Sequence, residues 1–184
     1  MSLCTLPEQI EDRGNFITTY SGAKFYIDEC NIEDIPISDI AHALSMNCRF
    51  NGHIKDFYSV AEHSVIVSEL VEPENALWGL LHDATEAFVP DIPRPFKHLI
   101  GGFDAFEERL AKKIAQYFEL SYPMPADVKY IDTNIVADEA QELFDSPPDW
   151  TRYYDIVCEP ERIAAFNPKE AYTMFMDRYK ELTE

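Results

Sequence analysis

The chain has 184 residues, 34 of them Asp or Glu against 15 Lys or Arg, giving a formal net charge of −19. With 46% hydrophobic and 13% aromatic residues it carries enough apolar side chain for one packed core and too much for an intrinsically disordered chain. The acid excess argues against nucleic acid polymers and anionic membranes as partners, because both need a broad basic face.

No apolar run approaches the roughly 20 residues of a membrane span. Residues Met1 to Asn15 hold three acids and no apolar centre, which predicts no signal peptide. The expected location is the cytoplasm, or the host cytoplasm for a phage-encoded chain. Cys4, Cys30, Cys48 and Cys158 are scattered without a C-x-x-C pair and read as reduced thiols.

In chain order, Phe16 to Ile27 alternates around Ser21-Gly22 and predicts a small β-hairpin. Everything after it reads as helix. Ser38 is placed to cap a helix running to about Cys48, with Ile40, Ala41 and Leu44 facing inward. Ser59 and Glu62 have capping-box spacing for the next helix, whose inward stripe is Val60, His63, Val67 and Leu70. Pro73 opens a third helix, in which Ala76, Leu77, Leu80 and Leu81 lead into His82-Asp83. Pro90 to Pro95 is predicted to be an ordered loop. Further helices are expected at about Phe103 to Phe118, Asp127 to Phe144 and from Pro168 onward, with an excursion over the surface between Pro147 and Asn167. The expected architecture is all-α, a compact helical bundle in a single domain. Its parts are a hairpin at about 16–27, a helical core at about 37–144, and a C-terminal excursion and helix at 145–184.

Two polar side chains at the end of the most apolar helix need partners. Taken alone, His82 and Asp83 read as a locally hydrogen-bonded pair. His63, however, lies on the inward face of the preceding helix, and the short turn at Glu72 to Asn75 sets the two helices antiparallel, so both imidazoles can meet. Two histidines with an adjoining carboxylate suit a shared Mn²⁺, Co²⁺, Fe²⁺ or Zn²⁺, with a further acid from a later helix.

The chain carries Ser59-Val-Ala-Glu-His63-Ser, then His82-Asp83-Ala-Thr-Glu86, then Asp91-Ile-Pro-Arg-Pro95-Phe-Lys97, then Val128-Lys-Tyr-Ile-Asp132. Over about Ile37 to Leu143 this resembles the H…HD…D signature of HD-domain metal-dependent phosphohydrolases. It is most similar to their 5′-deoxynucleotidase branch and to phage relatives that include dATP triphosphohydrolases. The resemblance implies His63, His82, Asp83 and Asp132 as metal ligands, with Asp138 the competing candidate for the last. It implies Glu86 as the residue assisting a nucleophilic water and Asp91 as a second catalytic acid. Arg49 corresponds to a phosphate clamp, Phe50 to an aromatic neighbour of sugar or base that is tryptophan in some members, and Lys97 to a lysine after the proline-rich loop. Arg94 lies close to Lys97 in sequence, and His53 is a further candidate substrate contact.

The implied cofactor is a divalent transition metal (Mn, Co, Zn or Fe), with Mg at a second site. The implied partners are a small deoxynucleotide substrate and further copies of the chain, as a dimer or hexamer, with Trp150, Tyr153 and Tyr154 available to cover a neighbour. The implied activity is hydrolysis of 2′-deoxynucleotides to a deoxynucleoside. One alternative is a triphosphohydrolase such as a dATPase that releases triphosphate. A remoter one is a non-catalytic nucleotide- or metal-sensing module, which has no use for the water-activating Glu86.

Overall fold

The computed structural model of the chain describes residues 15–97 and 99–184, without the side chain of Arg94. Cys4, the leader reading of residues 1–14 and the Arg94 side chain lie outside the described residues. Strands β1 (Phe16–Thr18) and β2 (Lys24–Tyr26) pair antiparallel with Ile17 opposite Phe25, and Gly22 supplies the positive φ of 91° that the turn requires. Phe25 points into the core and is fully buried. Helical structure dominates the described residues after the hairpin.

Helix α1 (Ile37–Met46) begins one residue before Ser38. Pro36, already extended, occupies the cap position, so the expected Ser38 cap is not used. Helix α2 (Val60–Leu70) is capped as the sequence predicts, with Ser59 Oγ accepting from the Glu62 N–H at 3.1 Å. The Glu62 carboxylate does not reach back to complete a capping box. It accepts instead from the backbone N–H groups of Ala164, Ala165 and Phe166 at 3.0, 3.0 and 2.8 Å, tying the distant C-terminal segment to α2. All of α2 from Val60 to Ser68 is buried, so it is the central helix of the molecule.

Helix α3 (Ala76–Leu81) packs against α2, and the contact depends on Gly79. A Cβ at that position would stand 2.8 Å from Ser68 Cα, a distance only backbone movement could relieve. The pair is locked from the other side by Arg178 of α7 (Pro168–Thr183), which donates to Ser68 Oγ and Ser68 O, both at 2.9 Å. Helix α7 starts with a complete capping box between Asn167 and Glu170.

Arg94–Lys97 forms a short helix, α4, that takes up the end of the Pro90–Pro95 segment expected to be loop. Pro95 sits in its first turn, where a backbone N–H has no helical partner to lose, so proline is tolerated there. Helices α5 (Phe103–Tyr117) and α6 (Ala126–Leu143) complete the core. The apolar interior has two parts. Phe25, Ile40, Leu44, Leu110 and Phe175 lie in one; Tyr58, Val67, Trp78, Val128 and Ile135 lie in the other. Each such fully buried aliphatic or aromatic side chain contributes about 1.5–3 kcal/mol. Among the described residues no helix is long and apolar enough to cross a membrane, and Cys30, Cys48 and Cys158 are free thiols.

Candidate metal centre and its cavity

Three elements meet at the centre. His63 projects from the end of the first turn of α2, His82 and Asp83 follow the end of α3, and Asp132 comes from the second turn of α6. One ligand atom from each lies within 4.8 Å of all the others. His63 Nε2 is 3.1 Å from His82 Nε2, 3.5 Å from Asp83 Oδ2 and 3.5 Å from Asp132 Oδ1. His82 Nε2 is 3.3 Å from Asp83 Oδ2 and 3.6 Å from Asp132 Oδ1. Ligands about 2.1 Å from a common ion are about 3.0 Å apart at a right angle and about 3.4 Å apart at the tetrahedral angle. The observed spacings suit such an ion.

Hydrogen bonds on the far side of each ring argue for the same occupant. His63 Nδ1 meets Glu139 Oε1 at 2.6 Å, and His82 Nδ1 meets the Gly79 carbonyl at 2.7 Å. Both Nδ1 atoms therefore carry the proton in the neutral rings, which leaves two Nε2 lone pairs facing each other. A shared cation resolves that conflict. With no cation between them, the rings are drawn toward the protonated form against their burial, His63 by Glu139 and His82 by Asp83 and Asp132. Burial alone would raise the Asp83 carboxyl, but in that protonated form His82 and His63 hold it down at about 2. Asp132, against its own burial, is held far below the usual carboxylate range by the same rings.

The cluster opens onto a cavity of about 460 Å³ whose lining includes Asp83, Asp132, Arg49, Phe50, Glu86, Asp91 and Lys97. Glu86 comes from a 3-10 turn (Ala84–Ala87) directly after Asp83, and its Oε2 is buried with no hydrogen-bond partner among the described residues. Burial first, then the charges of Asp83 and Asp91, push Glu86 well above the ordinary carboxyl range. Asp91 is raised too, chiefly by burial. His53 is exposed and does not line the cavity.

Both cavity cations already have acidic partners. Arg49 donates from Nε and Nη2 to Glu139 Oε2 at 3.2 and 2.9 Å, with Nη1 3.7 Å from Asp83. These carboxylates keep the guanidinium charged against its burial. Lys97 Nζ bonds Glu107 Oε1 at 2.8 Å. Phe50, whose φ of 53° is left-handed, packs edge-on against Phe144 at 5.4 Å.

Two groups of residues at the centre escape the sequence reading. Glu139, two turns along α6 from Asp132, also accepts from the Tyr58 hydroxyl at 2.9 Å; the seven-residue spacing from Asp132 is its one trace in the sequence. Trp150 and Tyr154 form an aromatic wall of the cavity, whereas Tyr153 is 74% exposed. Their segment is stapled to α6: the Asp155 N–H donates to Asn134 Oδ1, and the N–H groups of Val157 and Cys158 donate to Asp138 Oδ2, each at 2.9 Å. Asp138 thus serves that staple and stands outside the four-residue ligand group.

No family model matches the chain. It is 42% identical over 172 residues to the uncharacterized protein YfdR of Escherichia coli (strain K12), covering 92% of this chain and 97% of that protein. It is 41% identical over 106 residues to an uncharacterized protein of Rhodobacter capsulatus, covering 52% of this chain and 54% of that protein.

Proposed function

The chain belongs to the family of YfdR, and we propose that it is an HD-domain phosphohydrolase of 2′-deoxynucleotides that releases a deoxynucleoside. The observation that carries the reading is the convergence, on one cavity, of a His/Asp ligand cluster, two carboxyls with raised pKa, an arginine and a lysine. That combination matches the needs of phosphate ester hydrolysis: a Lewis acid, proton transfer groups and charge neutralisation.

His63, His82, Asp83 and Asp132 would hold a divalent cation, which would supply Lewis acidity and make water more acidic. Glu86, held well above the ordinary carboxyl range and with Oε2 unpartnered among the described residues, is suited to take the proton of the attacking water. Asp91, also raised, is suited to give a proton to the leaving 5′ oxygen as the P–O bond breaks. Of the five N–H groups on an arginine, Glu139 takes two from Arg49, and the others remain for phosphoryl oxygens. Phe50, Trp150 and Tyr154 offer ring faces to the sugar and base. Because Arg49 and Lys97 are each paired with a carboxylate, the cavity gains net attraction for an anion when the cation is in place.

The test is liquid chromatography of products after incubating metal-loaded protein with deoxynucleoside mono-, di- and triphosphates. Deoxynucleoside and phosphate from the monophosphates is the expected result. Triphosphate released from dNTPs would move the activity to the triphosphohydrolase alternative. Absence of turnover across the panel with Mn²⁺, Co²⁺, Zn²⁺, Fe²⁺ and Mg²⁺ would sink the enzymatic reading.

A further inference from the structure

We propose that Glu139 is a positioning residue: one buried carboxylate holds the metal-binding half and the anion-binding half of the centre in register. The inference rests on the proposed function only for the role of Arg49 toward phosphate. Glu139 is 0% exposed, and its two oxygens serve different halves. Oε1 accepts from His63 Nδ1 at 2.6 Å and from the Tyr58 hydroxyl at 2.9 Å. Oε2 accepts from Arg49 Nε at 3.2 Å and Nη2 at 2.9 Å.

Removing a carboxylate from water costs several kcal/mol, and a buried ion pair is weak evidence for stability. A purely stabilising role therefore explains little about this residue. What its partners do next is more informative. His63 carries the constraint through the ring, because a proton fixed on Nδ1 leaves the Nε2 lone pair aimed at His82, Asp83 and Asp132. Arg49 carries it through the guanidinium plane, because holding Nε and Nη2 on one oxygen fixes the direction of Nη1, 3.7 Å from Asp83. Helix α6 thus supplies Asp132 directly and aligns His63 and Arg49 through Glu139.

The two halves are separable by substitution. In Glu139→Gln the amide oxygen can still accept from His63 and Tyr58, while the NH₂ group faces the donors of Arg49. In Glu139→Ala both supports are lost. The experiment measures Mn²⁺ affinity by calorimetry, and inorganic phosphate affinity of the Mn²⁺-loaded protein, for wild type and both variants, with folding checked by circular dichroism. Glu139→Gln is expected to keep Mn²⁺ affinity within about 3-fold while losing phosphate affinity by about 10-fold, the scale of one hydrogen bond to a charged group. Glu139→Ala is expected to lose about 10–100-fold in Mn²⁺ affinity as well. Arg49→Lys, which lacks the fork, should add little to the phosphate loss already present in Glu139→Gln.

A structural role would lower thermal stability and leave both affinities of the folded protein unchanged, which would overturn the proposal. Equal loss of both affinities in Glu139→Gln would overturn it too, and this variant decides alone if Glu139→Ala does not fold. A wild-type protein that takes up no Mn²⁺ would also refute it. A wild type that binds Mn²⁺ and phosphate without turning over nucleotides would end the phosphohydrolase reading and leave the positioning role standing on its affinities.

Discussion

One wall of the centre is His63, His82, Asp83 and Asp132, from α2, the end of α3 and α6; its two aspartates line the cavity, and both histidine rings are anchored from behind by Glu139 and the Gly79 carbonyl. A second wall, Glu86, Asp91, Lys97, Trp150 and Tyr154, comes from 3-10 turns, a proline-rich loop and a four-residue helix, and these side chains are mostly half-buried. The first wall suits a group whose donors must converge within tenths of an ångström. The second suits a substrate of variable outline, because turn segments can change without disturbing the helical core. The two walls should therefore respond to substitution in different currents of the kinetics.

The largest effect is expected at the anchored wall. Asp132→Ala should bring turnover to background and bound metal, measured by mass spectrometry, close to zero; full activity with metal absent would erase the distinction between the walls. Next comes Glu86→Gln, where kcat should fall about 10²–10⁴-fold with metal content unchanged. Its neighbour supplies the pH test. Burial raises Glu86 and the positive charge of Lys97 opposes that rise, so Lys97→Met should raise the Glu86 pKa further and move the acid limb of residual kcat/KM toward higher pH. An unmoved limb would assign it to another group.

A smaller effect is expected at the aromatic side. Trp150→Ala should raise KM for deoxynucleoside monophosphates about 10-fold with kcat nearly unchanged, since base–aromatic stacking is worth about 1–3 kcal/mol. A matching fall in kcat would mean that the aromatic side also orients the reacting phosphate. The smallest effect lies away from both walls. Glu69 meets Arg162 at 2.7 Å in an exposed pair, and Glu69→Ala should change unfolding free energy by less than about 1 kcal/mol.

The difference between the walls also governs what could be read from the sequence. His63 on an inward helical stripe, and a His-Asp pair ending an apolar helix, are conspicuous because polar groups in apolar surroundings need a reason. The structure brings these together with Asp132. Glu139 is equally buried but follows Asp138 in a polar stretch of α6, where a glutamate ordinarily faces solvent. Its partners, Arg49, Tyr58 and His63, lie 90, 81 and 76 residues away in the chain, so beyond its spacing from Asp132 no local pattern marks it. Trp150 and Tyr154 read in sequence as part of an exposed connecting segment; their place at the cavity depends on Asn134 and Asp138, which draw that segment onto α6. Glu62 shows the same limit at a helix end. Its capping-box spacing is visible in sequence, but the competing N–H groups at Ala164, Ala165 and Phe166 are more than 100 residues away.

The close approach at Gly79 has a consequence for the spacing of the two imidazoles. With no side chain between α3 and Ser68, the helices approach closely where Gly79 also anchors His82, and the two Nε2 atoms stand 3.1 Å apart. Nitrogens about 2.1 Å from a common ion and separated by that gap would subtend nearly a right angle. The backbone thus acts as a calliper: the separation of two imidazoles is gauged at a residue with no side chain of its own.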